Sequence, residues 1–146
     1  SLTMQTSHFL SRKKVNIHSN KREKSSKKSR LKNRIILNAR GIRYELPLKY
    51  MNRIPNGRLA RIKYFIELYR NGELTASESF KNLSELCDDL NEDMTEFYFN
   101  KDPYILNLIL KFYETNNNLN ESSKIHICFR NFCVLSIEDE FEYWNI

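Results

Sequence analysis

Glycine is scarce in this chain: Gly41, Gly57 and Gly72 are the only three in 146 residues. No glycine-rich loop can therefore cradle a phosphate, and no Gly-x-Ser-x-Gly elbow can present a nucleophile. Histidine is equally short. His8 and His18 fall in a basic N-terminal stretch, which leaves His126 as the one histidine expected in an ordered region. With so few groups suited to acid–base or covalent chemistry, the chain reads as a non-enzyme with no catalytic residues and no organic cofactor. Cys87, Cys128 and Cys133 are an odd number without a secretory leader, so a disulfide framework is not expected and a reducing compartment is. No apolar run approaches the roughly 18–20 residues needed to cross a bilayer. The longest candidate, Tyr104 to Leu110, is short and broken by Asn107. The initial Ser and the end at Ile146 suggest a fragment of a longer chain.

What is present is unevenly distributed. The net charge of +6 conceals a stretch, residues 1–33, that carries ten Lys/Arg against Glu23 alone, or +9; the remaining 113 residues are −3. Residues 1–33 therefore read as a disordered basic arm, with like charges in repulsion and little to bury. The plainer role is a solvated linker; anionic lipid or nucleic acid are sharper alternatives. No aromatic residue interleaves the basic run at residues 21–30, so a base-stacking surface is unsupported and no nucleic-acid partner is expected. The serines beside its lysines could carry phosphate, which would cancel local charge.

Order is expected from Arg34. Ile35 to Leu37, a turn at Asn38-Ala39-Arg40-Gly41, and alternation through Ile42, Tyr44 and Leu46 predict a β-hairpin. Tyr50 to Ile54 predicts a short helix stopped by Pro55. Leu59, Ile62, Ile66 and Tyr69 predict one buried face of a second helix, which Asn71-Gly72 ends. Residues 72–82 are polar and read as an exposed loop, followed by a helical turn or two around Leu83 and Leu86. Glu96 to Asn100 reads as a strand, and Asp102-Pro103 as the cap and first turn of a helix through Ile105, Leu108, Ile109 and Phe112. Leu106, Leu110 and Tyr113 make that helix apolar nearly all round, so it should be buried on more than one face. Ile125, Ile127 and Phe129 suggest a strand. A last helix from Cys133 should turn Val134, Ile137, Phe141 and Trp144 inward and Glu138, Asp139, Glu140 and Glu142 outward. The sum is one mixed α/β (α+β) domain over 34–146.

His126, Cys128 and Cys133 lie within eight positions, and imidazole with thiolate suits Zn²⁺. Three ligands so close would need a loop folded over the metal and a fourth from elsewhere. The plainer reading makes Cys133 a small buried hydrophobe.

Several strings resemble those of one family. Leu37-Asn38-Ala39-Arg40-Gly41 followed by Arg43-Tyr44-Glu45, Met51-Asn52-Arg53-Ile54-Pro55 with Arg58-Leu59, and Cys87-Asp88-Asp89 occur in order. So do Glu96 to Pro103, Ile109 to Asn116, and the closing Cys133 to Ile146 with Tyr143-Trp144. Together they resemble the BTB/POZ-like cytoplasmic tetramerisation domain of voltage-gated potassium channels, leaning to the Shab-like, non-Shaker group. Arg40 stands where the family usually has a glycine, and the stretches around 64–82 and 116–130 are longer than usual.

The resemblance implies a subunit-assembly module at the cytoplasmic face of the plasma membrane. It would form homo- or hetero-tetramers with copies of itself or related subunits, beneath a membrane pore encoded after Ile146. It implies His126 and Cys133 as ligands of an interfacial zinc. The spacing between them is one residue longer than the family's, and the following Cys-Cys pair would fall past Ile146. Tight zinc is therefore not expected of this stretch alone. A four-fold ring would use polar helix faces, with Arg58, Arg61, Asp88, Asp89, Glu138 and Glu140 as candidates. A soluble BTB adaptor for a cullin-type ubiquitin ligase is the alternative reading.

Overall fold

The computed structural model describes residues 31–115 and 133–146, and the chain divides into two units, Ser1–Asn33 and Arg34–Ile146. In the first unit, Leu31–Asn33 form a 3₁₀ turn; residues 1–30 of the expected arm lie outside the described residues, as do the expected strand at 125–129, His126 and Cys128.

The second unit is built on a four-stranded sheet of order β2-β1-β4-β3. β1 (Arg34–Ala39) pairs antiparallel with β2 (Ile42–Pro47) and parallel with β4 (Glu96–Phe99), which pairs antiparallel with β3 (Asp89–Leu90). The expected hairpin forms with a two-residue connection in which Arg40 (φ 49°) and Gly41 (φ 91°) are both left-handed. Such a turn matches the right-handed strand twist. The side chain of Asn38 accepts the Gly41 N–H at 2.9 Å, which helps hold Arg40 in a region that residues with a Cβ seldom adopt.

Alternation sets the two faces of the sheet. Ile35, Leu37 and Ala39 of β1, Leu46 of β2, Leu90 of β3 and Phe97 and Phe99 of β4 enter the core. Asn38, Arg43, Glu45, Glu96 and Tyr98 lie on the other face, half-buried or exposed.

Against the apolar face pack a 3₁₀ helix (Leu48–Arg53) and α1 (Arg58–Arg70), α2 (Ala76–Ser84), α3 (Pro103–Thr115) and α4 (Val134–Trp144). α1 buries Leu59, Ala60, Ile62 and Ile66, but Tyr69 is exposed, so the expected stripe stops one turn early. The stretch read as an exposed loop at 72–82 holds most of α2, from Ala76 to Asn82. Its N-terminus is a capping box: the Thr75 hydroxyl accepts the Glu78 N–H at 3.2 Å, and the Glu78 carboxylate accepts the Thr75 N–H at 2.9 Å. Leu83 and the small Ser79 form its buried side.

α3 starts as its sequence predicts, with Asp102 Oδ1 accepting the N–H groups of Tyr104 (2.8 Å) and Ile105 (3.2 Å). Its buried side chains are Ile105, Leu106, Ile109, Leu110 and Tyr113. Phe112, expected inward, is only half-buried. A helix apolar on most sides does not reveal its phase, and Tyr113, one position on, takes the fully buried place. α4 buries Ile137 and Trp144 as expected. Glu140, expected outward, is half-buried and faces the start of α3, accepting the Asp102 N–H at 3.1 Å.

Candidate assembly surface

Three groups of polar side chains stand out, and each is placed by a different part of the fold. On the outer face of the sheet, Glu96 is the hub. Its carboxylate accepts from Arg43 Nη2 at 2.9 Å and from Asn38 Nδ2 at 3.1 Å, joining three strands through one side chain that is itself 13% exposed. Arg34 and Glu45 pair beside it at 3.4 Å. These contacts are made within the unit, and Arg43 and Glu45 are exposed on its surface.

The second group surrounds the end of α1. Arg58 donates through Nη1 to the Leu86 carbonyl (3.0 Å) and through Nε to the Tyr143 carbonyl (2.7 Å), with its guanidinium 3.8 Å from the Tyr143 ring centroid. Arg58 is thus an internal fastener rather than a free partner-seeking charge. Arg61, one turn on, is exposed. Cys87 is buried beside this group and donates its thiol to the Leu83 carbonyl at 3.2 Å. Burial pushes that thiol up to about 11, and Asp88 and Asp89 add to the effect, so it is poorly suited to nucleophilic chemistry. Asp88 and Asp89 are exposed; Asp88 accepts the Asn100 N–H at 2.7 Å, and Asp89 Oδ1 accepts the Leu90 N–H at 2.9 Å.

The third group lines an open cleft of about 460 Å³ between the start of α3, the hairpin tip and the first half of α4. Lys101, Asp102 and Ile105 form one wall, Cys133, Ser136, Asp139 and Glu140 the other, and Arg40 reaches in from the hairpin. Cys133 is exposed and Glu138 and Asp139 are exposed on α4. The cleft joins side chains up to 100 positions apart, so no local pattern announces it.

The two expected zinc ligands are not both in view. Cys133 supplies one accessible sulfur, His126 lies outside the described residues, and among the described residues no group of three His, Cys, Asp or Glu could hold a metal ion. The residues described do not by themselves fit a tetrahedral zinc site. Among them, too, no helix is long and apolar enough to cross a membrane.

Comparison with known proteins gives these surfaces a context. The sequence model of the BTB/POZ domain matches residues 35–146. The human voltage-gated potassium channel regulatory subunit KCNG4 is 29% identical over 116 residues, covering 80% of this chain and 18% of that protein. Human KCNG1, also named a voltage-gated potassium channel regulatory subunit, is 31% identical over 113 residues, covering 77% of this chain and 18% of that protein. The mouse delayed-rectifier potassium channel regulatory subunit KCNS2 is 36% identical over 77 residues, covering 53% and 14%. The chain thus spans less than a fifth of the length of these curated relatives.

Proposed function

Because the chain belongs to the BTB/POZ domain family, we propose that Arg34–Ile146 is a subunit-assembly module of a voltage-gated potassium channel. It associates with copies of itself or with related channel subunits in a tetramer, at the cytoplasmic face of the plasma membrane and beneath a pore carried elsewhere in the whole protein. The observation that carries this reading is the coincidence of the BTB/POZ match, residues 35–146, with the second unit, Arg34–Ile146, together with relatives named as potassium channel subunits. Those relatives favour the channel reading over the soluble ubiquitin-ligase adaptor. They are also named as regulatory subunits rather than enzymes, in keeping with a module whose work is recognition.

The mechanism is interface complementarity. A head-to-tail ring joins two different patches of each copy, so its interface need not be self-complementary. The sheet face around Arg43 and Glu96, the exposed acids of α4 and the exposed Arg61 provide patches of different charge. Such contacts select a partner as much as they bind it, because a wrong neighbour meets like charge or an unpaired buried group.

Sedimentation of the chain, alone and mixed with the corresponding domain of a related channel subunit, tests the reading. A tetramer is expected in at least one of the two across a concentration series. A chain that stays monomeric or dimeric in both overturns the channel-assembly function.

A further inference from the structure

We infer that the basic run at residues 21–30 binds the anionic lipid headgroups of the membrane's cytoplasmic leaflet and so tethers the assembled module to the bilayer. The inference rests on the assembly reading for its location, and the test below separates the two.

The charge of the chain divides where its two units meet. Residues 1–33 carry +9 and residues 34–146 carry −3. Lys21, Arg22, Lys24, Lys27, Lys28 and Arg30 stand within ten positions against Glu23 alone. Among the described residues, the hydrophobic core and the ion pairs Arg34–Glu45, Arg43–Glu96 and Lys63–Glu67 are built from the second unit's own side chains. The fold therefore gives the basic run no part in its own stability. Positive charge also continues past the boundary. Arg34 is exposed at the start of β1, and its pairing with Pro47 sets the exposed Lys49 near the same end of the sheet. Glu45 meets Arg34 there at 3.4 Å, and the Lys49 ammonium sits 4.8 Å from the Tyr50 ring centroid.

A block of like charge this dense calls for a polyanion. Nucleic acid fits poorly, because no aromatic residue interleaves the run and bases would have nothing to stack on. A bilayer fits well. A cluster of this size beside the cytoplasmic leaflet is drawn to its anionic lipids, each Lys or Arg adding to the attraction. Upstream, Phe9, Leu10, Val15 and Ile17 flank Arg12-Lys13-Lys14, so apolar side chains are at hand for the headgroup boundary. Reach is no obstacle, since 33 residues span up to about 110 Å when extended. A tetramer carries four such runs, and the first to bind raises the effective concentration of the others at the surface.

Vesicle co-sedimentation of the full chain tests this, with phosphatidylcholine vesicles and with vesicles of roughly two parts phosphatidylcholine to one part phosphatidylserine. Two variants change the run's charge without touching the second unit. One is Lys27→Gln with Lys28→Gln; the other is Ser25→Glu, Ser26→Glu and Ser29→Glu. The unaltered chain should bind the phosphatidylserine vesicles and not the others, and should come off as salt is raised. Both variants should bind roughly ten-fold more weakly or worse, while assembling as the unaltered chain does. Equal binding to the two vesicle types, or undiminished binding by the variants, overturns the tether. So does tighter binding to single-stranded RNA than to phosphatidylserine vesicles at the same salt, which would make the run a nucleic-acid contact. A tetramer that ignores both vesicle types overturns the tether and leaves the assembly function standing. Charge-dependent vesicle binding by a chain that stays monomeric or dimeric, alone and with a related subunit's domain, overturns the assembly function and leaves the lipid contact standing.

Discussion

Arg58 grips Tyr143 twice: its guanidinium stacks 3.8 Å from the phenol centroid, and its Nε donates to the same residue's carbonyl at 2.7 Å. That carbonyl belongs to the last turn of α4, where helix carbonyls run out of intrahelical donors. Asn145 closes the turn in a left-handed conformation (φ 57°), and the Ile146 N–H reaches back to the Phe141 carbonyl at 3.0 Å. Arg58 supplies the donor the backbone lacks and places its positive charge at the negative end of the helix.

Replacing Arg58 should therefore loosen α4. Arg58→Ala removes two charge-assisted hydrogen bonds and a stacked cation, at a cost of about 2–3 kcal/mol. Arg58→Lys should recover only part of this, because an ammonium cannot stack flat on Tyr143 while donating in a fork to two carbonyls. Urea unfolding of the three proteins measures the difference. Equal stability of the Lys variant and the unaltered chain would show that charge alone suffices.

Alkali should also act on this region. Burial pushes the Tyr143 phenol from its ordinary 10.0 up to about 12 and the Cys87 thiol from 9.0 up to about 11; burial raises Tyr113 as well. All three are neutral in the fold and ionise more readily once exposed. The stability tied to them is fully present below the ordinary values and is lost as pH rises through the raised ones. Unfolding free energy should therefore fall between about pH 9 and 12. Tyr143→Phe should flatten the upper part of that fall and Cys87→Ala the lower part. Parallel curves for all three proteins would assign the alkaline loss to other groups.

Much of this architecture is legible locally. The hairpin shows in the alternation around Asn38-Ala39-Arg40-Gly41, and the start of α3 in Asp102-Pro103. Where the sequence misleads, the deciding contact lies far away. Glu140 reads as a solvent-facing acid because its helix neighbours are acids; its partner is a backbone N–H at Asp102, 38 positions earlier. Asp89–Leu90 becomes a strand because β4 offers an edge, which two residues cannot announce. Phe112 and Tyr113 could exchange roles on a helix apolar on most sides. α2 is different: Thr75-x-x-Glu78 is a written signal, outweighed by the polarity around it.

That signal can be tested together with the residue it positions. Thr75→Ala should cost about 1 kcal/mol by removing the cap. Ser79→Ala should be neutral or stabilising, since the Ser79 Oγ is buried without a hydrogen-bond partner and its loss relieves a desolvated hydroxyl. Denaturation midpoints separate the two effects. A Ser79→Ala variant as unstable as Thr75→Ala would mean that the hydroxyl makes a contact essential to the α1–α2 packing.

Gly57 packs so close to Tyr113 that a side chain at position 57 would crowd its hydroxyl. Gly57 sits at φ −70°, a conformation any residue adopts, so its lack of a side chain answers to space rather than to backbone freedom. A Cβ there would lie 3.0 Å from the Tyr113 hydroxyl, 3.1 Å from the Ile54 carbonyl and 3.2 Å from Ile54 Cγ2. Gly57→Ala should therefore destabilise by about 1–3 kcal/mol, overpacking outweighing the smaller gain from restricting the unfolded chain. The nearest of the three obstacles is also a buried hydroxyl without a partner, so Tyr113→Phe by itself should be close to neutral. The double variant removes that obstacle and should be less destabilised than the sum of the singles, by at least about 0.5 kcal/mol. Rescue should be partial, because the Ile54 atoms stay in place. Strict additivity in a double-mutant cycle would show that the Ile54 carbonyl, and not Tyr113, is what keeps position 57 a glycine.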